Sequence, residues 1–561
     1  MLPLSKLPAR CMTSGLHEKM LRSCVWSAAW LRQAEVEAAR AHDITLYALM
    51  QRAGKAAFDV FRREYPASRH WLILCGSGNN GGDGYEIARL AADANLRVTV
   101  VAIKGAKPLP PEATAALAAL HQRGGVAMHD AEHWDYTATA KDVDLVVDGL
   151  LGTGIGGAPR ADYARLIDWV NALPVPRVAI DIPSGLNAET GVVEGACVRA
   201  EHTVTFIALK PGLLTGRARD FTGTLHYNCL QVGEWMLAKE RQEQLFCRRL
   251  SSSHLQELLA QTRSPCAHKG MNGKVVIIGG DFGFGGAIVM AAEAALRTGA
   301  GLVRVLSRPQ HALPLLSRCP EVMTAELTPD NLGTALDWST CVVVGPGLGQ
   351  DKWGSTALAQ VLAHCQEHPE KPSVWDADAL NLMAAGAQTQ KGGADLFTAP
   401  LKSRIITPHP GEAARLLRCT TAEVEHDRFR AAQRLAETYG GVALLKGPGT
   451  VLYTAEGAEP AAALSGAARE LLSARCVVAD AGNCGMATGG AGDVLTGVIA
   501  GLLAQQFPQW HAACVGCLVH GTAGDLAAAA QGGVRGLRAT ALLEHLTTCV
   551  NPAAEEQWAT L

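Results

Sequence analysis

Two α/β domains in tandem, each a three-layer αβα sandwich on a mostly parallel sheet, are what this sequence predicts. Short apolar runs alternate with amphipathic helical stretches in two separate blocks. Gly-rich turns follow many of the runs directly, as strand-to-helix corners require. The 561 residues are ample for two large cores. Repeated βα units imply a sheet covered by helices on both faces.

The first block opens with the helical patterns SAAWLRQAEVEAARAHD and LYALMQRAGKAAFDVF. The strand WLILC follows, then a Gly-rich turn, the helix YEIARLAADAN and the strand RVTVVAI. DLVVD, RVAID and HTVTFIAL read as further strands, with the helices PEATAALAALHQR and ADYARLIDWVNAL between them. The charged stretch 238–250 carries no strand signal and is read as a linker. The second block has the strands KVVIIG, LVRVLS, CVVVG, SVWD, RIIT and VALLK. Its helices include AIVMAAEAALRTG and one run from Thr420 through Gly440, where Thr420 and Glu423 have capping-box spacing. Residues 455–473, rich in Ala, Gly and Glu, look like an insertion or mobile flap between strands. The expected organisation is a tail over 1–24, a first domain over 25–237, a linker over 238–250, a second domain over 251–553 and a tail over 554–561.

Charge and composition narrow the function. Lys+Arg 50 against Asp+Glu 53 gives a net charge of -3, which argues against a nucleic-acid footprint. The 16 cysteines lack a paired framework in a chain too large to need staples, so they read as reduced thiols and the expected location is cytoplasmic. The single CxxC, Cys514 and Cys517 with His520 beyond it, reads as part of a buried helix rather than a zinc or redox site. No run reaches the ~18 uninterrupted apolar residues of a membrane helix, and the N-terminal segment has bases but no apolar core of a secretory signal.

After WLILC comes Gly76-Ser77-Gly78-Asn79-Asn80-Gly81-Gly82-Asp83-Gly84, containing a literal GxGxxG. An ordinary dinucleotide site also wants an acidic residue after the next strand, where this chain offers Lys104 and Lys107. What remains is a turn whose N–H groups can surround an anion. Strand ends also supply Asp148, Thr153, Asp181 and Ser184, which in a parallel sheet converge on one edge with Asn79, Asn80 and Asp83. Such oxygen-rich groups suit a hard cation, or an acid/base pair around a polar substrate. Asp181 reads either as acid/base or as a cap after its strand.

Near the end, GNCGMATGGAGDVL runs straight into a helix. Its free N–H groups and the helix dipole make an anion hole, and Asp493 is placed to take a proton from a hydroxyl attacking phosphorus. No GxxxxGK[ST] occurs. His409, between two prolines, is a presented side chain or a cap. Asp376 and Asp378 in WDADALN orient water or magnesium, or cap the next helix.

The motifs SGNNGGDG, DGLLGTG and DIPSG, in this order between Trp26 and Trp235, closely resemble the NAD(P)H-hydrate epimerases. That resemblance implies a Rossmann-like sandwich that interconverts R and S hydrates of NADH and NADPH. It also implies substrate contacts by Asn79, Asn80, Gly81, Gly82 and Asp83, by Gly152, Thr153, Gly154, Ile155, Gly156, Gly157 and Ala158, and by Asp181, the candidate acid/base. Potassium (K+) would be held by Asn80, Asp148 and Ser184. From Ser251 to Asn551, the series HKG, GGAI, GPGLG, DADALN, TPHPGE, KGPGT and GNCGMATGGAGDVLTG resembles the ADP- or ATP-dependent NAD(P)H-hydrate dehydratases, relatives of ribokinase-like kinases. It implies a ribokinase-like αβα domain with Ala287, Gly347, His409 and Asp493 on the hydrate. Lys446, Gly447, Pro448, Gly449, Thr450 and Gly492 would hold ADP or ATP with Mg2+. The chemistry implied is phosphorylation of the nicotinamide hydroxyl, then phosphate elimination. About ten extra residues between Thr450 and Asp480 depart from the family pattern. Relatives commonly assemble, so a homo-oligomer is expected, with no nucleic acid or membrane partner. The rival readings are a vitamin-type small-molecule kinase joined to a nucleotide-binding module, and a cofactor-binding sensor without turnover.

Overall fold

The computed structural model describes residues 15–136, 142–260, 263–389, 399–456, 464 and 466–552. Of the segment 455–473 read as a flap, residues 457–463 and 465 lie outside the described residues, as does the C-terminal tail, while Gly466–Leu471 is a short helix with Leu471 buried. The chain divides into two compact units, Met1–Cys247 and Arg248–Leu561.

The first unit is built on a seven-stranded sheet. Its strands lie in the order Ala127–Asp130, Arg97–Ala102, His70–Cys75, Leu145–Gly149, Arg177–Ile180, His202–Phe206 and Thr224–Asn228. Every neighbouring pair is parallel. The chain therefore winds one way from His70–Cys75 and then reverses, opening a crevice at the carboxyl ends of His70–Cys75 and Leu145–Gly149. The central strands are fully buried and read as apolar runs. The two edge strands, Ala127–Asp130 and Thr224–Asn228, are half-exposed and carry His and Asp or Asn among their apolar residues, so no continuous run announces them. Ser27 and Thr45 cap the first two long helices, Ala28–Ala41 and Leu46–Glu64, accepting from Trp30 N and Ala48 N. Each cap is worth about 1 kcal/mol. The expected tail over 1–24 is partly structured: Gly15–Leu21 is a helix, and Leu21 and Cys24 are buried.

The second unit repeats the scheme. From Met323–Glu326 through Leu302–Ser307, Lys274–Ile278, Cys341–Val344, Ser373–Trp375 and Arg404–Ile406 to Val442–Leu445 the strands are parallel. The switch point lies between Lys274–Ile278 and Cys341–Val344. Thr450–Thr454 then turns back antiparallel, followed by Cys476–Ala479.

Arg248, Arg249 and Leu250 pair in parallel with Val477, Val478 and Ala479, so the stretch read as strandless ends in the strand Cys247–Leu250. Two adjacent arginines hid it. Arg248 is buried and ion-paired to Glu470 at 3.1 Å, and Arg249 meets Asp480 at 2.6 Å. The run after Thr420 is also two helices, Thr421–His426 and Arg428–Tyr439, broken at Asp427, whose side chain accepts from Arg430 N. The Thr420–Glu423 capping box is present as expected.

The CxxC segment lies within one helix, Gln509–Ala530, where burial pushes the Cys517 thiol up to about 12 and His520 down to about 4. Among the described residues it is the helix long and apolar enough to cross a membrane, yet 72% of that window is buried inside its own unit.

Candidate active sites

In the first unit the switch-point crevice is a cleft of about 660 Å³. Asn79, Asn80, Asp83, Gly152, Thr153, Gly154, Ile155 and Asp181 all line it. The expected turn is tighter than the sequence suggested: the helix Asn79–Asp93 begins at Asn79, so NNGGD forms its first turns rather than a loop. Gly81 permits this, because a Cβ there would stand 2.0 Å from the Gly76 carbonyl oxygen. Gly81 and Gly82 are packing positions behind the wall, Gly82 against Met50 and Ala113. Gly156, Gly157 and Ala158 continue the loop beyond the lining residues, with Ala158 against Gly195.

Asp181 leaves the strand Arg177–Ile180 with φ 61, a left-handed conformation uncommon outside glycine and concentrated at functional sites. The bend turns its carboxylate onto the end of the neighbouring strand His202–Phe206, where Oδ1 accepts from Thr205 Oγ1 at 3.1 Å and Phe206 N at 3.2 Å. Lys210 Nζ donates to the same oxygen, and also to Thr205 Oγ1 at 2.9 Å and the Phe206 carbonyl at 3.0 Å. All three ammonium hydrogens thus have acceptors, which makes a buried lysine tolerable. Two further carboxyls face this centre. Burial, then Asp181, pushes Glu35 up to about 7. The same causes, with Glu35 and Glu86 added, hold Asp83 well above the carboxylate range.

Asn80, Asp148 and Ser184 meet at the back of the cleft. Asp148 Oδ1 accepts from Ser184 Oγ at 2.6 Å and Oδ2 from Ser184 N at 2.8 Å, while Asn80 Nδ2 donates to the Leu151 carbonyl at 3.0 Å. Ser184 Oγ also lies 3.2 Å from that carbonyl. The donors are hard oxygens, and Asp148 is fully buried with no ion pair among the described residues. Such a set fits an alkali cation, which would supply the missing positive charge.

In the second unit the strand ends converge in the same way. Ala377 takes φ 50, which splits the two aspartates beside it. Asp376 turns inward: Lys446 Nζ donates to Oδ1 at 2.7 Å and Thr496 Oγ1 to Oδ2 at 2.9 Å. Asp378 turns outward, accepting from Gly349 N at 2.9 Å at the start of its helix. Burial works against the Lys446 ammonium, but Asp376 and Glu412 outweigh it and keep its pKa high. Asp493 lies in the first turn of the helix Ala491–Ala504, and burial followed by Asp376 pushes it up to about 7. Gly492 lies against the Lys446–Asp376 pair.

His409 caps the helix Pro410–Leu417, its Nδ1 accepting from Gly411 N at 3.0 Å and Glu412 N at 3.4 Å. Its Nε2 lies 3.4 Å from Glu412 Oε1, and burial with Lys446 holds the ring below the usual histidine value. Gly347, at φ 57, lets the backbone pass Phe284, where a Cβ would meet Phe284 Cβ at 2.7 Å, and it brings the loop to Ala287. In KGPGT, Gly447 abuts the Arg428 guanidinium and Thr450 Oγ1 donates to the Gly447 carbonyl at 3.0 Å, closing the turn through Pro448 and Gly449.

Sequence reasoning missed Lys210, Glu35 and the pairing of Lys446 with Asp376. Lys210 had a signal, as the lone charge ending the apolar run HTVTFIAL. Glu35 had none, being one acid among several on an amphipathic helix.

Relatives across the whole chain decide the family. A bifunctional NAD(P)H-hydrate repair enzyme of Leishmania infantum is 51% identical over 98% of this chain and 97% of its own length. The chain belongs to the bifunctional NAD(P)H-hydrate repair enzymes. A bifunctional NAD(P)H-hydrate repair enzyme of Escherichia coli is 49% identical over 95% of each chain. The family model for NAD(P)H-hydrate dehydratase matches residues 275–548, and that for the YjeF-related protein N-terminus matches 46–212. Among solved structures, a ribokinase-like superfamily protein of Enterococcus faecalis is 29% identical, with a TM-score of 0.45, over 54% of this chain and 95% of its own. The chain is thus a two-activity enzyme, an epimerase followed by an ADP/ATP-dependent dehydratase.

Proposed function

We propose that Asp181 is the acid/base of the epimerase and Asp493 the general base of the dehydratase. Asp181 lines the cleft while its Oδ1 is fixed by Lys210, Thr205 and Phe206 N, so the carboxylate is oriented before substrate arrives. Removing and restoring the oxygen at the hydrated nicotinamide carbon needs a proton delivered and a proton taken. Asn79, Asn80, Asp83 and residues 152–155 hold the hydrate beside it. Asn80, Asp148 and Ser184 would hold K+, which would supply positive charge beside the buried Asp148.

At the second site the observation that carries the reading is Asp493 in the first turn of a helix whose N-cap, Gly490, has φ 93 and makes no side-chain cap hydrogen bond. Phosphate binds there, with Gly492 and residues 446–450 on the nucleotide and Ala287, Gly347 and His409 on the hydrate. A base near pH 7 is matched to taking the proton from the nicotinamide hydroxyl as it attacks the terminal phosphorus. Hydroxide leaves badly and phosphate leaves well, so the ring nitrogen lone pair then expels phosphate and restores NADH or NADPH. Mg2+ on the nucleotide phosphates would spread their charge. Three acids, Asp376, Glu412 and Asp493, surround Lys446 and would supply the protein oxygens nearest such a cation. The described cysteines are free thiols, which supports a cytoplasmic location.

The test is single-site substitution in the full chain. Asp181→Asn removes only epimerisation and Asp493→Asn only dehydration; loss of both activities in either variant contradicts the assignment.

A further inference from the structure

We propose that Glu35 is a second proton-transfer residue of the epimerase, acting on the hydrate from the helical wall of the cleft that Asp181 enters from the sheet. This rests on Asp181 being the acid/base. Glu35 lies on the helix Ala28–Ala41, outside the motifs that mark the family, and lines the same cleft as Asp181. That helix is tied to the site: Arg32 Nη1 donates to the Thr153 carbonyl at 3.4 Å, and Ala29 N to Glu189 Oε1 at 2.9 Å.

Epimerisation places two demands on the protein. A hydroxyl must leave one face of the carbon as water, and water must return to the other face. Asp181 has one oxygen committed to three donors and approaches from the sheet. A second group on a different element supplies what a single carboxylate cannot reach. Three acids line the cleft besides Asp181: Glu35, Asp83 and Glu112. Asp83 is buried and crowded by Asp181, Glu35 and Glu86, which hold it well above the usual carboxylate range. Glu112 belongs to the first turn of another helix, Pro111–Arg123. Glu35 faces Asp181 and Glu112, which raise it, and Lys210 and Arg32, which lower it, with Asp83 also near; burial is the largest cause, and the balance falls at about 7. It therefore gives and takes a proton at working pH.

The step balances. The Glu35 proton passes to the hydroxyl oxygen, the C–O bond breaks with its electron pair leaving in water, and the ring nitrogen lone pair forms C=N. Water then adds to the opposite face, its oxygen forming the new C–O bond while the C=N pair returns to nitrogen, and its proton passes to Asp181. Reverse turnover uses the two acids in exchanged roles, and cleft water resets them.

The experiment follows pure R hydrate of NADH converting to S by chromatography, in the full chain without nucleotide and after subtracting the enzyme-free rate. Glu35→Gln is expected to lower kcat by about 10² to 10⁴-fold with little change in KM, and to erase an inflection near pH 7 that the parent protein shows. Glu35→Asp restores part of the rate with a displaced inflection. Parent-like turnover and pH profile in Glu35→Gln, with Asp181→Asn inactive, overturn the role of Glu35 alone. Full activity in Asp181→Asn overturns the reading beneath it. Should Glu35→Gln fail to fold, an unmoved inflection in Glu35→Asp overturns the proposal and a displaced one supports it.

Discussion

Lys446 Nζ lies 2.7 Å from Asp376 Oδ1, and the pair stands directly under Gly492: a Cβ there would come 3.3 Å from the nitrogen and 3.5 Å from Asp376 Oδ2. The lysine expected to hold nucleotide is thus also the counter-charge of a buried aspartate at the floor of the anion hole. On the proposed assignment its positive charge is already fixed beside the phosphate site, so little reorganisation is needed on binding.

Lys446→Met should therefore destabilise the second unit as well as weaken nucleotide binding. Leaving Asp376 buried without its partner costs about 3 to 5 kcal/mol. Adding Asp376→Asn should recover part of that loss. Denaturant titration of the single and double variants checks it, and a single variant as stable as the parent protein contradicts the pairing.

Asp493→Asn should lower dehydration of the S hydrate by about 10² to 10⁴-fold and leave epimerisation intact. In the parent protein, dehydration kcat/KM should rise with pH through about 7, as Asp493 loses its proton and becomes a base. The rising limb should vanish in the variant. A variant that keeps the limb shows that another group titrates.

The same aspartate affects stability. Its folded value, about 7, lies above the ordinary 3.8, so between these values the folded chain holds a proton that the unfolded chain has lost. Stability falls as pH rises through that window, and the penalty is complete above it. Asp493→Asn should raise the melting temperature at pH 8 and change it little at pH 4, in the absence of nucleotide. A lower melting temperature at pH 8 contradicts this.

Potassium should matter to one activity only. Replacing it with a large organic cation should slow epimerisation and spare dehydration of pure S hydrate. Asp148→Asn should weaken the potassium requirement's affinity by about 10- to 100-fold. A potassium dependence confined to dehydration would remove Asn80, Asp148 and Ser184 from the assignment.

The sequence showed its sites where chemistry sits on glycine-rich strand ends and hid them where tertiary pairing makes the site. SGNNGGDG, DIPSG and GGAGD were legible because corners after buried strands have few alternatives, and topology then brings Asn80 and Asp181 to one cleft, with Asp148 and Ser184 behind Asn80. The helical start at Asn79 was not, since a glycine-rich run looks like a turn until Gly76 and Gly81 are seen in contact. The strand Cys247–Leu250 was masked by Arg248 and Arg249, whose charges are neutralised by residues more than two hundred positions away. Glu35 and Lys210 are ordinary in sequence; only the fold turns one into the cleft and the other onto Asp181.

The most direct measurement supplies the full chain with an R and S mixture of NADH hydrate, ADP or ATP, Mg2+ and K+. Return of dihydronicotinamide absorbance is followed alongside inorganic phosphate. Two linked activities predict full recovery of both epimers with one phosphate released per cofactor restored. A plateau at the S fraction would contradict the epimerase site, and accumulation of a stable phosphorylated product would contradict the dehydratase mechanism.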